Sequence, residues 1–164
     1  MKLCMIGTGY VGLVSGTCFA DFGNTVYCVD RDTYKIKKLN SGGSVIFEPG
    51  LDEIIKKNFK AKRLLFTTNL KKAVQKSDII FICVGTPNKK KSDQVDLKYV
   101  FSAVKEIIKA SKSKKILITK STVPVGTGDK IEKIIKKFRK KNIEVISNPE
   151  FLREGEAIRD FRFP

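Results

Sequence analysis

The stretch KLCMIGTGYVG, Lys2–Gly12, decides the fold. A short apolar run ends at Gly7, and a helical pattern continues through Phe22. Between them Gly7, Gly9 and Gly12 fall in the G-x-G-x-x-G spacing, directly after a strand and opening a helix. Each glycine answers its own steric demand. Gly7 permits a tight turn, Gly9 lets the backbone approach a pyrophosphate, and Gly12 lets helix and strand pack closely. Tyr10 and Val11 then start a helix whose free N–H groups and dipole attract phosphates. One Lys followed by apolar residues also resembles a signal peptide, but the glycine spacing and the next strand suit a nucleotide-binding turn better.

The second strand, TVYCVD, ends in Asp30. An acid at the end of strand two is where a carboxylate accepts hydrogen bonds from an adenosine ribose. It would repel a 2′-phosphate, so NAD is expected rather than NADP. Arg31 complicates the choice, because a neighbouring Arg can accept that phosphate. Lys35, one helical turn on, would neutralise phosphates or stay solvated.

Strands and helices alternate along the rest of the chain. RDTYKIKKLNSG reads as a helix closed by Gly42, and LDEIIKKNF as another. RLLFTT is a third strand, and Asn69 can cap the short helix LKKAVQK. DIIFICVGTP is a fourth strand, apolar enough to be central and buried on both faces. A long amphipathic helix starts near Asp96, and KILITKSTVP is a fifth strand. GTGDKIEKIIKKFRKK is a helix with Ile131, Ile134, Ile135 and Phe138 on its apolar face, and IEVISNPE is a sixth strand. The expected fold is α/β: a doubly wound, parallel, six-stranded Rossmann-type sheet with helices on both faces.

Ligands bind such sheets at the carboxyl ends of the strands. Gly85, Thr86 and Pro87 follow strand four, and Ser121 and Thr122 follow strand five. The hydroxyls could face a ligand, or these could be only well-formed strand exits. NPEFLREGEAIRDF leaves strand six at the same edge. If a helix starts near Pro149, Glu150 and Glu154 share one face. Such a pair could act as a base or position a water, or simply be the usual acidic start of a helix.

Composition narrows the class. With 41% apolar and 30% charged residues this is a globular chain, and no apolar run approaches the ~20 residues of a membrane span. The net charge of +16 is spread along the chain, with one compact run, NKKKSD, in a loop. No nucleic-acid motif accompanies it, so no nucleic-acid partner is expected. There is no His and no C-x-x-C pair, so no metal site is expected. Cys4, Cys18, Cys28 and Cys83 fall in apolar runs and suit a reducing cytoplasm.

Taken together, GTGYVGLVSGTCFADFGNTVYCVD, KIKKLNSGGSVIFEPGL, DIIFICVGTP, KSTVPVGT and NPEFLREGEAIRDF resemble the N-terminal, NAD-binding domain of the nucleotide-sugar dehydrogenases, the UDP-glucose/GDP-mannose dehydrogenase family. The likeness runs along essentially all 164 residues and is strongest to the UDP-glucose branch. It implies oxidation of the 6-hydroxyl of UDP-glucose in two steps, with two NAD, to UDP-glucuronate. It implies NAD contacts at Val11, Asp30, Lys35 and Thr122, and a role for Glu154 toward both cofactor and substrate. The segment Glu150, Phe151, Leu152, Arg153 and Glu154 is similar to part of the sugar-nucleotide site. Thr122 and Glu150 resemble the pair that positions water, with Glu150 the base in thioester hydrolysis. The family's catalytic Cys, and the Lys, Asn and Asp that act with it, lie in domains beyond this sequence. Residues 1–164 are therefore expected to be the cofactor half of a larger dehydrogenase, without its central helix and C-terminal domain, inactive alone and a homodimer when complete. Ser44-Val45, where many relatives carry Pro before the Ile, is a neutral departure. Two alternatives stand beside this reading: a dehydrogenase for UDP-N-acetylmannosamine or GDP-mannose, and a non-catalytic NAD-binding remnant.

Overall fold

The structure, a computed structural model, describes residues 1–89, 92, 94–139 and 142–163. Lys90, Lys91 and Asp93 of the basic NKKKSD run lie outside the described residues. Six strands form one sheet: β1 (Lys2–Ile6), β2 (Thr25–Val29), β3 (Leu64–Thr67), β4 (Ile79–Ile82), β5 (Lys115–Thr119) and β6 (Ile143–Ser147). Their order is β3-β2-β1-β4-β5-β6 and every pairing is parallel. The expected doubly wound sheet is what forms. Its order reverses between β1 and β4, which opens a crevice at their carboxyl ends.

Successive side chains of a strand point to opposite faces, and β1 shows this cleanly. Leu3 and Met5 pack with α1 (Tyr10–Asp21), α2 (Thr33–Asn40) and α3 (Leu51–Lys60). Cys4 and Ile6 pack on the other face with α4 (Leu70–Lys76), α5 (Lys98–Ala110) and α6 (Thr127–Lys137). β4 does the same, with Phe81 and Cys83 to one side and Ile80 and Ile82 to the other. Past the exposed Lys2, both central strands therefore bury apolar residues on both faces.

The helix ends follow local chemistry. Asp32 caps α2 by accepting from Tyr34 N and Lys35 N, and Asn69 caps α4 by accepting from Lys72 N, as the sequence predicts. The predicted stop at Gly42 also forms: Gly42 takes φ +84 and donates to Leu39 O. The sequence predicts a helix over 126–141, of which Lys140 and Lys141 lie outside the described residues. It stops at Lys137, because Arg139 turns to φ 54, and Phe138 caps the end half-exposed rather than joining the apolar face.

The last helix, α7 (Ala157–Arg162), has six residues and is pinned to α1. Phe161 meets Phe19 edge-to-face at 5.0 Å, and Arg162 bonds Asp21 at 2.9 Å. Asp21 also accepts from Lys57 and Asn58 of α3. Those partners, Lys57 first, hold its carboxyl below the usual carboxylate range despite burial. All four thiols are buried, and burial pushes Cys18 up to about 11 and Cys83 to about 12. Among the described residues, no helix is long and apolar enough to cross a membrane.

Candidate functional site

The turn between β1 and α1 is Gly7–Gly9, three residues long. Gly7 sits at φ +106, and a Cβ there would stand 2.6 Å from Cys83 O. A Cβ on Gly12 would stand 2.0 Å from Gly7 O. Neither position admits a side chain, so the strand, the turn and the helix are locked by backbone contact. Gly9 and Gly85 are different: a Cβ on either would project into open space. These two glycines leave a cradle on the surface, not a gap in the core. Helix α1 starts on Gly9 with no side-chain cap and no acid in its first turn. Its first amides are therefore suited to a bound anion.

Beside this turn lies a cavity of about 460 Å³ lined by Gly7, Gly9, Asp30, Arg31, Lys35, Val84, Gly85, Tyr99 and Glu106, among others. Asp30 stands at its rim and is already oriented. Oδ2 accepts from Thr8 N at 2.8 Å and Thr8 Oγ1 at 2.7 Å, and Oδ1 from Asp32 N at 3.0 Å. Burial works to raise its pKa, but these bonds and the nearby Lys35 outweigh it, and the carboxyl stays below its ordinary value. Arg31 reaches along the same cavity to α5, where it pairs with Glu106 and bonds Ser102 Oγ at 3.2 Å. The structure thus gives the guanidinium a carboxylate partner within the chain itself. Such a cleft, with open glycines, uncapped helix amides and a rim carboxylate, fits NAD.

At the neighbouring strand exits, Ser121 is buried and bonds Val84 O at 2.7 Å and Ile82 O at 3.2 Å. Thr86 Oγ1 donates to Thr122 O at 2.9 Å. These two hydroxyls stitch the exits of β4 and β5 together, while Thr122 and Pro87 are exposed. Val11 packs against the apolar cluster beneath α1, and Tyr10 reaches across to the last loop.

A second hollow, of about 480 Å³, is lined by Lys120, Asn148, Glu150, Phe151, Leu152 and Asp160 among others. The predicted helix joining Glu150 to Glu154 does not form: helix resumes only at Ala157. Glu150 instead folds back, its Oε2 accepting from Leu152 N at 2.6 Å. Pro149 disfavours a helical residue before it, and Gly155 breaks the path at φ +87. Glu150 and Glu154 therefore share no helix face. Arg153 is committed to Asp160 through both its guanidinium and its backbone N–H. That pairing pulls Asp160 down to about 2.

Two residues here escaped sequence reasoning. Lys120 ends the apolar fifth strand, 7% exposed, with Nζ 3.3 Å from Asn148 Oδ1. Burial lowers its pKa, and Cys83 and Glu150 partly offset that. A lone Lys closing an apolar run was the available signal. Glu48 is 6% exposed and gave none, because its partners lie far off along the chain, Tyr10 on one side and Gly155 and Ala157, more than a hundred residues away, on the other.

Comparison with known proteins agrees with this geometry. Residues 1–164 match the family described as "UDP-glucose/GDP-mannose dehydrogenase family, NAD binding domain". A UDP-glucose 6-dehydrogenase from Rhizobium meliloti is 53% identical over 100% of this chain and 38% of its own length. The UDP-glucose 6-dehydrogenase TuaD of Bacillus subtilis is 50% identical over 97% of this chain and 35% of its own. Among solved structures, a ternary complex of GDP-mannose dehydrogenase from Pseudomonas aeruginosa superposes with a TM-score of 0.95, at 39% identity over 100% of this chain and 39% of that one. The chain thus spans little more than a third of the length of these relatives.

Proposed function

The chain belongs to the UDP-glucose/GDP-mannose dehydrogenase family, as an NAD-binding domain, and on that premise we propose that it is the N-terminal, cofactor half of a UDP-glucose 6-dehydrogenase. The observation that carries this reading is the open cradle over Gly9 and Gly85 with the oriented carboxylate of Asp30 at its rim.

In this reading Asp30 accepts the adenosine ribose hydroxyls, and the first amides of α1 take the pyrophosphate. Gly7, Gly12 and Val11 hold that turn in shape, Lys35 neutralises phosphate charge, and Gly85, Thr86, Pro87, Ser121 and Thr122 form the inner wall. Arg31, paired with Glu106, is not offered to a 2′-phosphate, which supports NAD over NADP. NAD, when bound, supplies the hydride acceptor. The segment Glu150–Glu154 forms the sugar-nucleotide side. Glu150, with Thr122, orients a water and takes its proton, and Glu154 reaches both ligands. Lys120 sets a buried ammonium beside Glu150 to hold negative charge there. None of the four thiols is exposed enough to meet a substrate, so the nucleophile that the second oxidation needs is supplied from outside residues 1–164. The complete enzyme is read as a cytoplasmic homodimer.

The test is calorimetric titration of this chain with NAD and NADP, followed by an assay for NADH. The expected result is saturable NAD binding, weaker NADP binding, and no sustained NADH formation from UDP-glucose. Failure to bind NAD at millimolar concentration overturns the cofactor assignment. Sustained NADH formation overturns the assignment as half a site. Joining the chain to a relative's remaining domains and comparing UDP-glucose, UDP-N-acetylmannosamine and GDP-mannose then fixes the sugar.

A further inference from the structure

The chemistry proposed above leaves one buried carboxyl group unused. Glu48 lies on the loop between α2 and α3 and is 6% exposed. Its Oε2 accepts from the Tyr10 hydroxyl and from Gly155 N at 2.8 Å. Its Oε1 accepts from Ala157 N at 2.9 Å and Ile158 N at 3.4 Å. Tyr10 is the first residue of α1, next to Gly9, and its oxygen also accepts from Gly155 N at 3.2 Å. One side chain therefore joins the start of the dinucleotide helix to the turn that carries Glu154.

That connection has mechanical weight. Residues 153–156 are exposed, and α7 is too short to hold its own shape. Phe161 and Arg162 fasten the far end of α7 to α1 and Asp21. The Arg153 and Asp160 side chains bond each other within the segment, and Arg153 O accepts from the Tyr10 hydroxyl at 3.4 Å. The near end, where Glu154 stands, is tied by hydrogen bonds to another part of the fold through Glu48 and Tyr10. A buried carboxyl group costs free energy unless it is fully bonded, and every donor that Glu48 meets lies on one of the two parts it joins.

The geometry points to Glu48 as a positioning residue: through Tyr10 it fixes where the Glu150–Glu154 segment stands relative to the phosphate-binding start of α1. This rests on the reading that this segment is the sugar-nucleotide side. Glu48 touches no reacting atom in that reading and acts only through the residues it holds.

The test is amide hydrogen exchange on this chain, wild type against Glu48→Gln, with NAD affinity measured in parallel. Gln keeps one acceptor and the volume but loses the second. Expected is a loss of protection of about tenfold at Gly155 and Ala157, the scale of one hydrogen bond to a carboxylate. Strand amides of β1 and β4 keep theirs, and NAD affinity stays within about threefold. A spectroscopic signature accompanies it. Burial and the bond to Glu48 hold the Tyr10 phenol above the ordinary tyrosine range. In Glu48→Gln its ultraviolet titration moves back toward that range, and in Tyr10→Phe that transition is missing. Unchanged exchange at Gly155 and Ala157 overturns the proposal. So does a loss of protection spread evenly over the sheet, which would make Glu48 a general stabiliser. Should Glu48→Gln not fold, Tyr10→Phe carries the test, with loss of a few-fold expected at Gly155 alone and no loss overturning it. Addition of UDP-glucose to the chain joined to a relative's remaining domains separates the two readings. If exchange over 150–154 does not respond, the substrate assignment falls while the tether stands.

Discussion

The two halves of the sheet leave their first strands in contrasting ways. β1 passes into α1 through Gly7–Gly9, so tightly that a Cβ on Gly12 would meet backbone at 2.0 Å. β4, its counterpart, ends at Ile82, and α5 begins only at Lys98. The first exit is shaped chiefly by backbone contact at Gly7 and Gly12. The second is shaped by side chains, with Ser121 reaching to Val84 O and Thr86 to Thr122 O. A site made of backbone tolerates no substitution, and one made of side-chain stitches yields by degrees.

That contrast can be tested from its strongest consequence downward. Gly12→Val should be the most damaging change. It drives a branched side chain into Gly7 O, and overpacking of this kind costs about 1–3 kcal/mol or more. Thermal unfolding should fall by several degrees with NAD binding lost; a variant of wild-type stability that still binds NAD would break the comparison. Asp30→Ala should weaken NAD about 10- to 100-fold, the range for hydrogen bonds to a charged group, while leaving the fold intact. Titration calorimetry reads this directly. Ser121→Ala, on the stitched side, should lower stability by only about 1 kcal/mol in a denaturant melt, because one hydrogen bond is lost. A larger loss than for Gly12→Val would invert the distinction. The smallest effect should come from Glu106→Gln. It frees Arg31, whose exposed pair contributes little to stability, so only the NAD-to-NADP affinity ratio should drop, by a few-fold.

Acid offers a further comparison, within the last loop. Asp160 titrates at about 2 when folded, held there by Arg153, against ~3.9 for an unfolded Asp. A depressed carboxyl stabilises the fold above the unfolded pKa and loses that contribution as pH falls through the folded one. The Arg153–Asp160 turn should therefore loosen between about pH 4 and pH 2, seen as faster exchange of the Arg153 amide.

The same contrast explains what could be read from the sequence. The glycine turn and Asp30 were legible because they depend on backbone sterics and short spacing. The central place of β4 was legible because its run is apolar on both faces. The Glu150–Glu154 segment was misread as a helix start, since spacing alone cannot register that Gly155 turns to φ +87 and that Glu48 takes the amides beyond it. Lys120 was hidden for a similar reason: the Asn148 oxygen that its ammonium meets lies on the next strand's exit, far along the chain. The end of α6 was misjudged because the break at Arg139 has no Gly or Pro to announce it.

One detail of Asp30 carries a last consequence. Thr8 and Asp32 hold both of its oxygens before any ligand arrives. The rotamer is frozen when the chain folds, so its ordering entropy, on the order of 0.5 kcal/mol or more, is settled at that stage and not at binding. Cutting the Thr8 hydroxyl away would leave Asp30 held by the Thr8 and Asp32 amides alone, and any added freedom of its carboxylate would appear as a more unfavourable entropy of binding with little change in contacts.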